Sequence, residues 1–270
     1  MARIGLLAGN GNLPVKFAYA AVAAGNEVIA ITLTPEAEVD ELKNVATKVY
    51  QISAGQLDKI INILKEEGIC EVIMLGKVTK ELLYQGIELD QRFMLLLSNL
   101  KEKNDDSIML AIVKELESAG IKISDQTKYI TELLPNKGLL TALKPDATTL
   151  ADMEYGFKMA KEIGRLDIGQ TVVVKDNAIM AVEAIEGTDQ AILRGGKLGR
   201  GEVVVAKVSK PQQDFRFDIP AVGLDTLEKL IEVKAKGLVI EAKKTFIVDQ
   251  EEFIKRANQA GITIMAMSKE

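Results

Sequence analysis

Two carboxylates and a guanidinium recur at alternate positions in Asp214-Phe-Arg-Phe-Asp-Ile219, a segment bracketed by Pro211 and Pro220. An extended backbone sends successive side chains to opposite faces. On that expectation Asp214, Arg216 and Asp218 share one face, and Phe215, Phe217 and Ile219 share the other. Carboxylates beside a guanidinium on one rigid edge can hold a divalent metal and a phosphate together. An edge strand with its charged face in water has the same pattern. The surrounding charge favours the chemical reading. From Arg194 to Phe217 there are six basic residues (Arg194, Lys197, Arg200, Lys207, Lys210, Arg216) and two acidic ones (Glu202, Asp214), in a chain of net charge −5. Positive charge gathered around carboxylates suits metal-assisted chemistry on a phosphoryl or pyrophosphate group.

Composition narrows that chemistry. The 270 residues include no histidine, which removes Ser-His-Asp and Cys-His nucleophiles, His-based zinc motifs and imidazole acid–base catalysis. Carboxylates, Lys, Arg, hydroxyls or a metal must then do the work. Without imidazoles or clustered thiols a metal site is built from oxygen, favouring Mg²⁺, or Mn²⁺, over zinc. The one cysteine, Cys70, cannot form an internal disulfide; beside the apolar run Val72 to Leu75 it reads as a small buried residue in a reducing cytoplasm. No apolar stretch approaches the roughly 18 residues of a membrane span, and the N-terminal apolar run, cut by glycine, reads as too short for a signal peptide. The acidic balance and 4% aromatic content argue against a nucleic-acid partner.

The elements that must position these residues alternate between strand and helix. Ile4 to Ala8 reads as a buried strand, Gly9-Asn-Gly-Asn-Leu-Pro14 as a turn, and Leu13, Phe17, Ala20, Ala21 and Ala24 as a helix stopped by Gly25. Strands follow at Val28 to Leu33, Val49 to Ile52 and Val72 to Leu75, with a helix through Leu57, Ile60, Ile61 and Leu64. This alternation implies parallel βαβ units. The turn with Gly9, Asn10 and Gly11 allows a ligand close to the backbone, although a tight βα turn needs nothing more. As a dinucleotide fingerprint it is broken: Pro14 replaces the third glycine, and Thr34-Pro35-Glu36 is the nearest substitute for the ribose-binding acid. Residues 92 to 100 read as a core helix. In Asn104-Asp-Asp-Ser107 one side chain is expected to cap the next helix, leaving Asp105 or Asp106 for a site.

The periodicity breaks between Leu134 and Thr149, so the chain divides into residues 1–134, a linker at 135–149, and residues 150–270. The second part opens with a helix from about Leu150 to Ile163. A hairpin follows, Thr171 to Lys175 and Ala178 to Ala184, turning at Asp176-Asn177. Gly187-Thr188-Asp189 then enters a helix, with Asp189 either its cap or a ligand to a bound group. Val203 to Ala206 is a buried strand ahead of the charged segment. The tail repeats helix and strand, including a capping-box pattern at Asp249-Gln-Glu-Glu252. The fold class is α/β: an N-terminal Rossmann-like parallel-sheet domain and a distinct C-terminal α/β domain.

Five blocks occur in order: Gly5-Leu-Leu-Ala-Gly-Asn-Gly-Asn-Leu-Pro14, Asp105-Asp-Ser107, Asp167-Ile-Gly-Gln-Thr-Val-Val-Val174, Glu183-Ala-Ile-Glu-Gly-Thr-Asp189, and Lys210-Pro-Gln-Gln-Asp-Phe-Arg-Phe-Asp-Ile-Pro-Ala-Val-Gly223. Together they resemble the LpxI-type UDP-2,3-diacylglucosamine pyrophosphatases of lipid A synthesis, over nearly the whole chain. Asn104 and Gln212 depart from the small residues usual there. The resemblance implies an active site between two domains. It implies Mg²⁺-dependent cleavage of a UDP-linked diacyl sugar to UMP and 2,3-diacylglucosamine 1-phosphate (lipid X), with water attacking the phosphorus on the sugar side. The essential aspartate of the Arg-x-Asp-x-Pro motif falls on Asp218.

The expected roles follow. Asp218 binds the metal or orients the attacking water, with Asp214 and Asp189 as helpers. Lys207, Lys210 and Arg216 hold phosphates, while Gly9, Asn10, Gly11, Asp106, Thr188 and Gln213 contact substrate. The protein is expected in the cytoplasm, at most peripheral at the inner membrane, and a homodimer is allowed. The acyl chains need an apolar groove that the sequence does not separate from core. The competing reading is a non-catalytic nucleotide-sugar binding or regulatory module, which would tolerate loss of Asp218.

Overall fold

The computed structural model describes residues 2–35, 37–78, 88–101 and 105–268, without the side chain of Asp105. Glu36, Asn104 and the Asp105 side chain therefore lie outside the described residues. Two compact units are formed, Met1–Thr131 with Phe215–Phe217, and Glu132–Asp214 with Asp218–Glu270.

In the first unit the described elements are β1 (Arg3–Ala8), α1 (Leu13–Ala23), β2 (Glu27–Thr32), α2 (Val39–Val45), β3 (Lys48–Gln51), α3 (Leu57–Glu66), β4 (Glu71–Leu75), α4 (Gln91–Asn99), α5 (Asp105–Ser118) and β5 (Lys122–Ile123). Strand β1 is buried at every residue from Ile4 to Ala8, as a strand covered on both faces must be. Helix α3 turns Leu57, Ile60, Ile61 and Leu64 inward at helical spacing, onto Leu7, Ile29 and Val72. The five strands lie in the order β3-β2-β1-β4-β5, all parallel. The winding reverses between β1 and β4, and ligands of such sheets bind outside the carboxyl ends of the strands at that reversal. Gly9-Asn10-Gly11 is the chain leaving β1 there.

The second unit contains β6 (Gly138–Leu139), α6 (Ala147–Arg165), β7 (Thr171–Lys175), β8 (Ala178–Val182), α7 (Thr188–Gly199), β9 (Val204–Lys207), β10 (Ala221–Val222), α8 (Leu224–Glu232), β11 (Gly237–Glu241), β12 (Phe246–Ile247), α9 (Gln250–Gln259) and β13 (Thr263–Met267). Six strands form one mixed sheet in the order β6-β13-β11-β9-β7-β8, with β9, β11 and β13 parallel and β6, β7 and β8 antiparallel to their neighbours. The two-residue period of the strands sorts its faces. Val172, Val174, Ala206 and Val239 pack with Met153, Phe157 and Ala160 of α6. Val173, Val205, Leu238 and Ile240 pack with Ile192, Leu227 and Phe253 from α7, α8 and α9.

Four local expectations are corrected. Residues 215–217 form a turn, and the Asp218 N–H donates to the Asp214 carbonyl at 3.0 Å, so Asp214 to Ile219 is not extended and no shared face exists. That backbone hydrogen bond closes a helix-like loop of the chain, which alternating side chains cannot forbid. Cys70 is exposed, because it precedes β4 instead of lying within it. The apolar run of α4 is not all core: Phe93 and Leu96 are buried, whereas Met94 and Leu95 are 51% and 56% exposed. Asp249 stands in the left-handed region at φ 55° and its side chain does not cap α9.

Candidate functional site

The carboxyl end of β9 carries the chain into the charged segment, and most of the expected site residues of the second unit gather there. Lys207 is the last residue of the strand. Its side chain is buried, and its Nζ donates to the Ala221 carbonyl at 2.8 Å. Lys210 Nζ reaches Asp167 Oδ1 at 2.6 Å. The Lys210 N–H donates to Gln213 Oε1 at 2.9 Å, and the Gln213 N–H returns to the Lys210 carbonyl at 3.1 Å. The amide of Gln213 donates through Nε2 to Asp218 Oδ2. Gln213, Asp214 and Asp218, all half-buried, thus belong to one folded loop. Pro211 and Pro220 flank it, and neither can supply an N–H to a sheet.

Beside this loop the start of β7 adds a second polar group. Thr171 pairs with Lys207 across β7 and β9. The Thr171 and Thr188 hydroxyls are 3.4 Å apart, and Thr188 donates to Glu183 Oε1 at 2.8 Å. Glu183 also accepts from the Gln170 N–H at 3.3 Å. A Cβ on Gly169 would come within 2.1 Å of the Glu183 carbonyl, so only glycine lets these segments touch. Gly187, at φ 80°, is the N-cap of α7, while Asp189 lies in the first turn and accepts from the Thr226 hydroxyl at 3.0 Å. A carboxylate in a first helical turn also faces the positive end of the helix dipole.

Other members of the basic run are engaged elsewhere. Arg194 holds the Val182 carbonyl at 2.9 Å and pairs with Glu186, whose carboxyl its guanidinium keeps below the ordinary glutamate value. Arg200, at φ 56°, is the C-cap of α7. Arg216 belongs to the first unit, where it meets Glu117 at 3.0 Å.

Three further candidates belong to the first unit. Asp106 is half-buried in the first turn of α5. Gly9 and Asn10 donate to the Leu75 and Lys77 carbonyls at 2.8 and 2.9 Å. A Cβ on Gly9 would lie 2.7 Å from the Lys77 carbonyl oxygen, so the close approach that Gly9 permits is to its own chain. Gly11, at φ 98°, has open space where a side chain would stand. An open groove of about 490 Å³ lies between α4 and α5, lined in part by Leu96, Leu100, Leu110 and Ala111.

The LpxI N-terminal domain family matches residues 3–133, and the LpxI C-terminal domain family matches residues 136–265. The chain belongs to the LpxI family. It is 31% identical to the UDP-2,3-diacylglucosamine pyrophosphatase LpxI of Caulobacter vibrioides, over 99% of this chain and 98% of that protein. Among solved structures, the biotin carboxylase domain of the Hydrogenobacter thermophilus 2-oxoglutarate carboxylase has a TM-score of 0.25 at 16% identity, over 65% of this chain and 35% of that one. The N5-carboxyaminoimidazole ribonucleotide synthetase of Thermotoga maritima has a TM-score of 0.26 at 17% identity, over 69% of this chain and 42% of that one.

In this LpxI chain, sequence reasoning passed over the partners of the site residues. Asp167 and Glu183 stood inside two of the ordered blocks, which was the available signal. Glu241, which pairs with Lys161 at 2.8 Å and accepts from the N–H of Ser209, the residue before Lys210, closes an otherwise apolar strand, and a lone charge after Leu238, Val239 and Ile240 could have marked it. Lys161 left no signal among the other charges of α6. Among the described residues no three acidic or thiol side chains converge into a metal cage. An ion such as Mg²⁺ needs no such cage, because it usually keeps waters and takes one or two carboxylates together with substrate phosphates.

Proposed function

We propose that this LpxI chain hydrolyses the pyrophosphate of UDP-2,3-diacylglucosamine, giving UMP and 2,3-diacylglucosamine 1-phosphate. The observation that carries the reading is the Asp218 carboxylate, held by Gln213 in the loop anchored at Lys210, in a chain aligned along its length with a pyrophosphatase of that substrate. Hydrolysis of a phosphoric anhydride needs an oriented water, neutralised phosphate charge and a stabilised leaving group. Asp218 orients the water, with Asp214 next to it in the loop. Lys210 supplies positive charge to the phosphates, and Lys207 fixes the strand end from which the loop departs. The first turn of α7, at Thr188 and Asp189, offers backbone N–H donors to the sugar or phosphate oxygens. Asp218 and Asp214 would hold Mg²⁺, which when bound draws charge from the phosphate oxygens.

Water adds its oxygen to the phosphorus on the sugar side, the bridging P–O bond breaks, and UMP leaves. Turnover in ¹⁸O-water tests this. The label is expected in the sugar phosphate and not in UMP; label in UMP would contradict the direction of attack.

A further inference from the structure

One side chain that the roles above do not use is gripped at the end of β11. Glu241 is 3% exposed, and the side chain of Lys161, from α6, is 11% exposed. Their charged atoms meet at 2.8 Å. The more exposed Lys244 approaches the other Glu241 oxygen at 3.1 Å. A buried ion pair of this kind adds little net stability over apolar side chains of the same volume. It can, however, grip backbone groups that apolar side chains cannot. Ser209 is 1% exposed; its N–H donates to Glu241 Oε2 at 3.0 Å, and its carbonyl accepts from Lys161 Nζ at 2.6 Å. Both backbone polar groups of that residue are fixed by the same pair, while its hydroxyl donates to the Lys210 carbonyl at 3.2 Å. Strands β9 and β11 are parallel neighbours with Ile240 opposite Lys207, which sets the register that brings Glu241 to Ser209.

The next residue, Lys210, passes the constraint on. Its N–H occupies Gln213 Oε1, and the amide is thereby turned with Nε2 toward Asp218. We propose that Lys161 and Glu241 are positioning residues, which set the orientation of the Asp218 carboxylate through Ser209, Lys210 and Gln213. The inference rests on the reading of Asp218 as the carboxylate that acts on water.

The test is a double-mutant cycle on UMP release from UDP-2,3-diacylglucosamine with Mg²⁺, using Glu241→Gln, Gln213→Leu and the double variant, with Asp218→Ala as reference. Misplacing a reacting group by about 1 Å can cost about 100-fold in rate. Each single variant is expected to lower kcat by about 10- to 100-fold with KM moved less than about threefold. The double variant should be no more than about twofold slower than the slower single one, because the two side chains act on one path. Unimpaired kcat in a folded Glu241→Gln, or multiplication of the two effects, would overturn the proposal. Should Glu241→Gln fail to fold, Lys161→Met takes its place in the cycle, since Lys244 remains to neutralise Glu241, and the same two results decide. An inactive Asp218→Ala beside an unimpaired Glu241→Gln contradicts the positioning alone. Wild-type turnover in Asp218→Ala contradicts the reading of Asp218 and the inference with it.

Discussion

Gln213 satisfies a backbone donor and a carboxylate with one amide, and so ties the half-buried Asp218 carboxylate to the backbone at Lys210. Charge elsewhere in the chain is fixed more conventionally, by ion pairing. At the edge of the first sheet, Lys48 and then Tyr50 hydrogen-bond the Glu67 carboxylate and draw its pKa below the ordinary 4.5. A lowered folded-state value means stability that is present above the unfolded value and lost as pH falls through the folded one. Glu67→Gln should therefore melt lower than wild type at pH 7, and the gap should close as the solution is acidified below the glutamate range. Melting temperatures of both proteins from pH 7 to 3 check this; a gap independent of pH would contradict it. At this scale the sequence was half legible. The Arg-x-Asp-x-Pro motif singles out Asp218, which lies in a folded polar loop, whereas alternation alone suggests a strand. Nothing in Asp214 to Ile219 announces the hydrogen bond from Asp218 to Asp214 that bends the chain, nor the amide of Gln213 that occupies the carboxylate.

Elements were more readable, because burial on one or both faces leaves a period in the sequence. Strands β1, β2, β4, β9 and β11 are apolar runs, and the hairpin of β7 and β8 turns at Asp176 and Asn177, both with positive φ. Helix α2 was not read: of its seven residues only Leu42 is buried, too few to make a period. Nor does a sequence reveal where two elements must touch. Asp152 of α6 accepts from the Asp176 and Asn177 N–H groups at 3.0 and 2.6 Å, holding the hairpin turn from below. Asp152→Ala should cost on the order of 3 kcal/mol by denaturant unfolding, two charge-assisted bonds from a buried carboxylate; a loss under about 0.5 kcal/mol would contradict that role. Gly195 and Gly196 bring α7 against Val173 and Val233, where a Cβ would come within 2.5 and 2.3 Å. Gly195→Ala should destabilise by about 1–3 kcal/mol through overpacking. An unchanged unfolding midpoint would show that the helix shifts freely, against the account of α7 as the fixed carrier of Thr188 and Asp189.

For the whole molecule, two α/β units match the two LpxI domains, at residues 3–133 and 136–265. The strand–helix alternation and the ordered motifs carry the α/β class of both parts in the sequence. The excursion of Phe215–Phe217 into the first unit was not visible, since those residues pack by tertiary contact and not by local pattern. No helix among the described residues is long and apolar enough to cross a membrane. Catalysis separates this reading from a protein that only binds a UDP-sugar. The most direct measurement is UMP release from UDP-2,3-diacylglucosamine by the full chain with Mg²⁺, with EDTA, and by Asp218→Asn with its folding verified. The account predicts turnover with Mg²⁺, loss with EDTA, and a fall of at least about 100-fold in Asp218→Asn, the size expected when a group that orients the attacking water is removed. Tight binding of the intact substrate with no UMP released, or full turnover by Asp218→Asn, would contradict it.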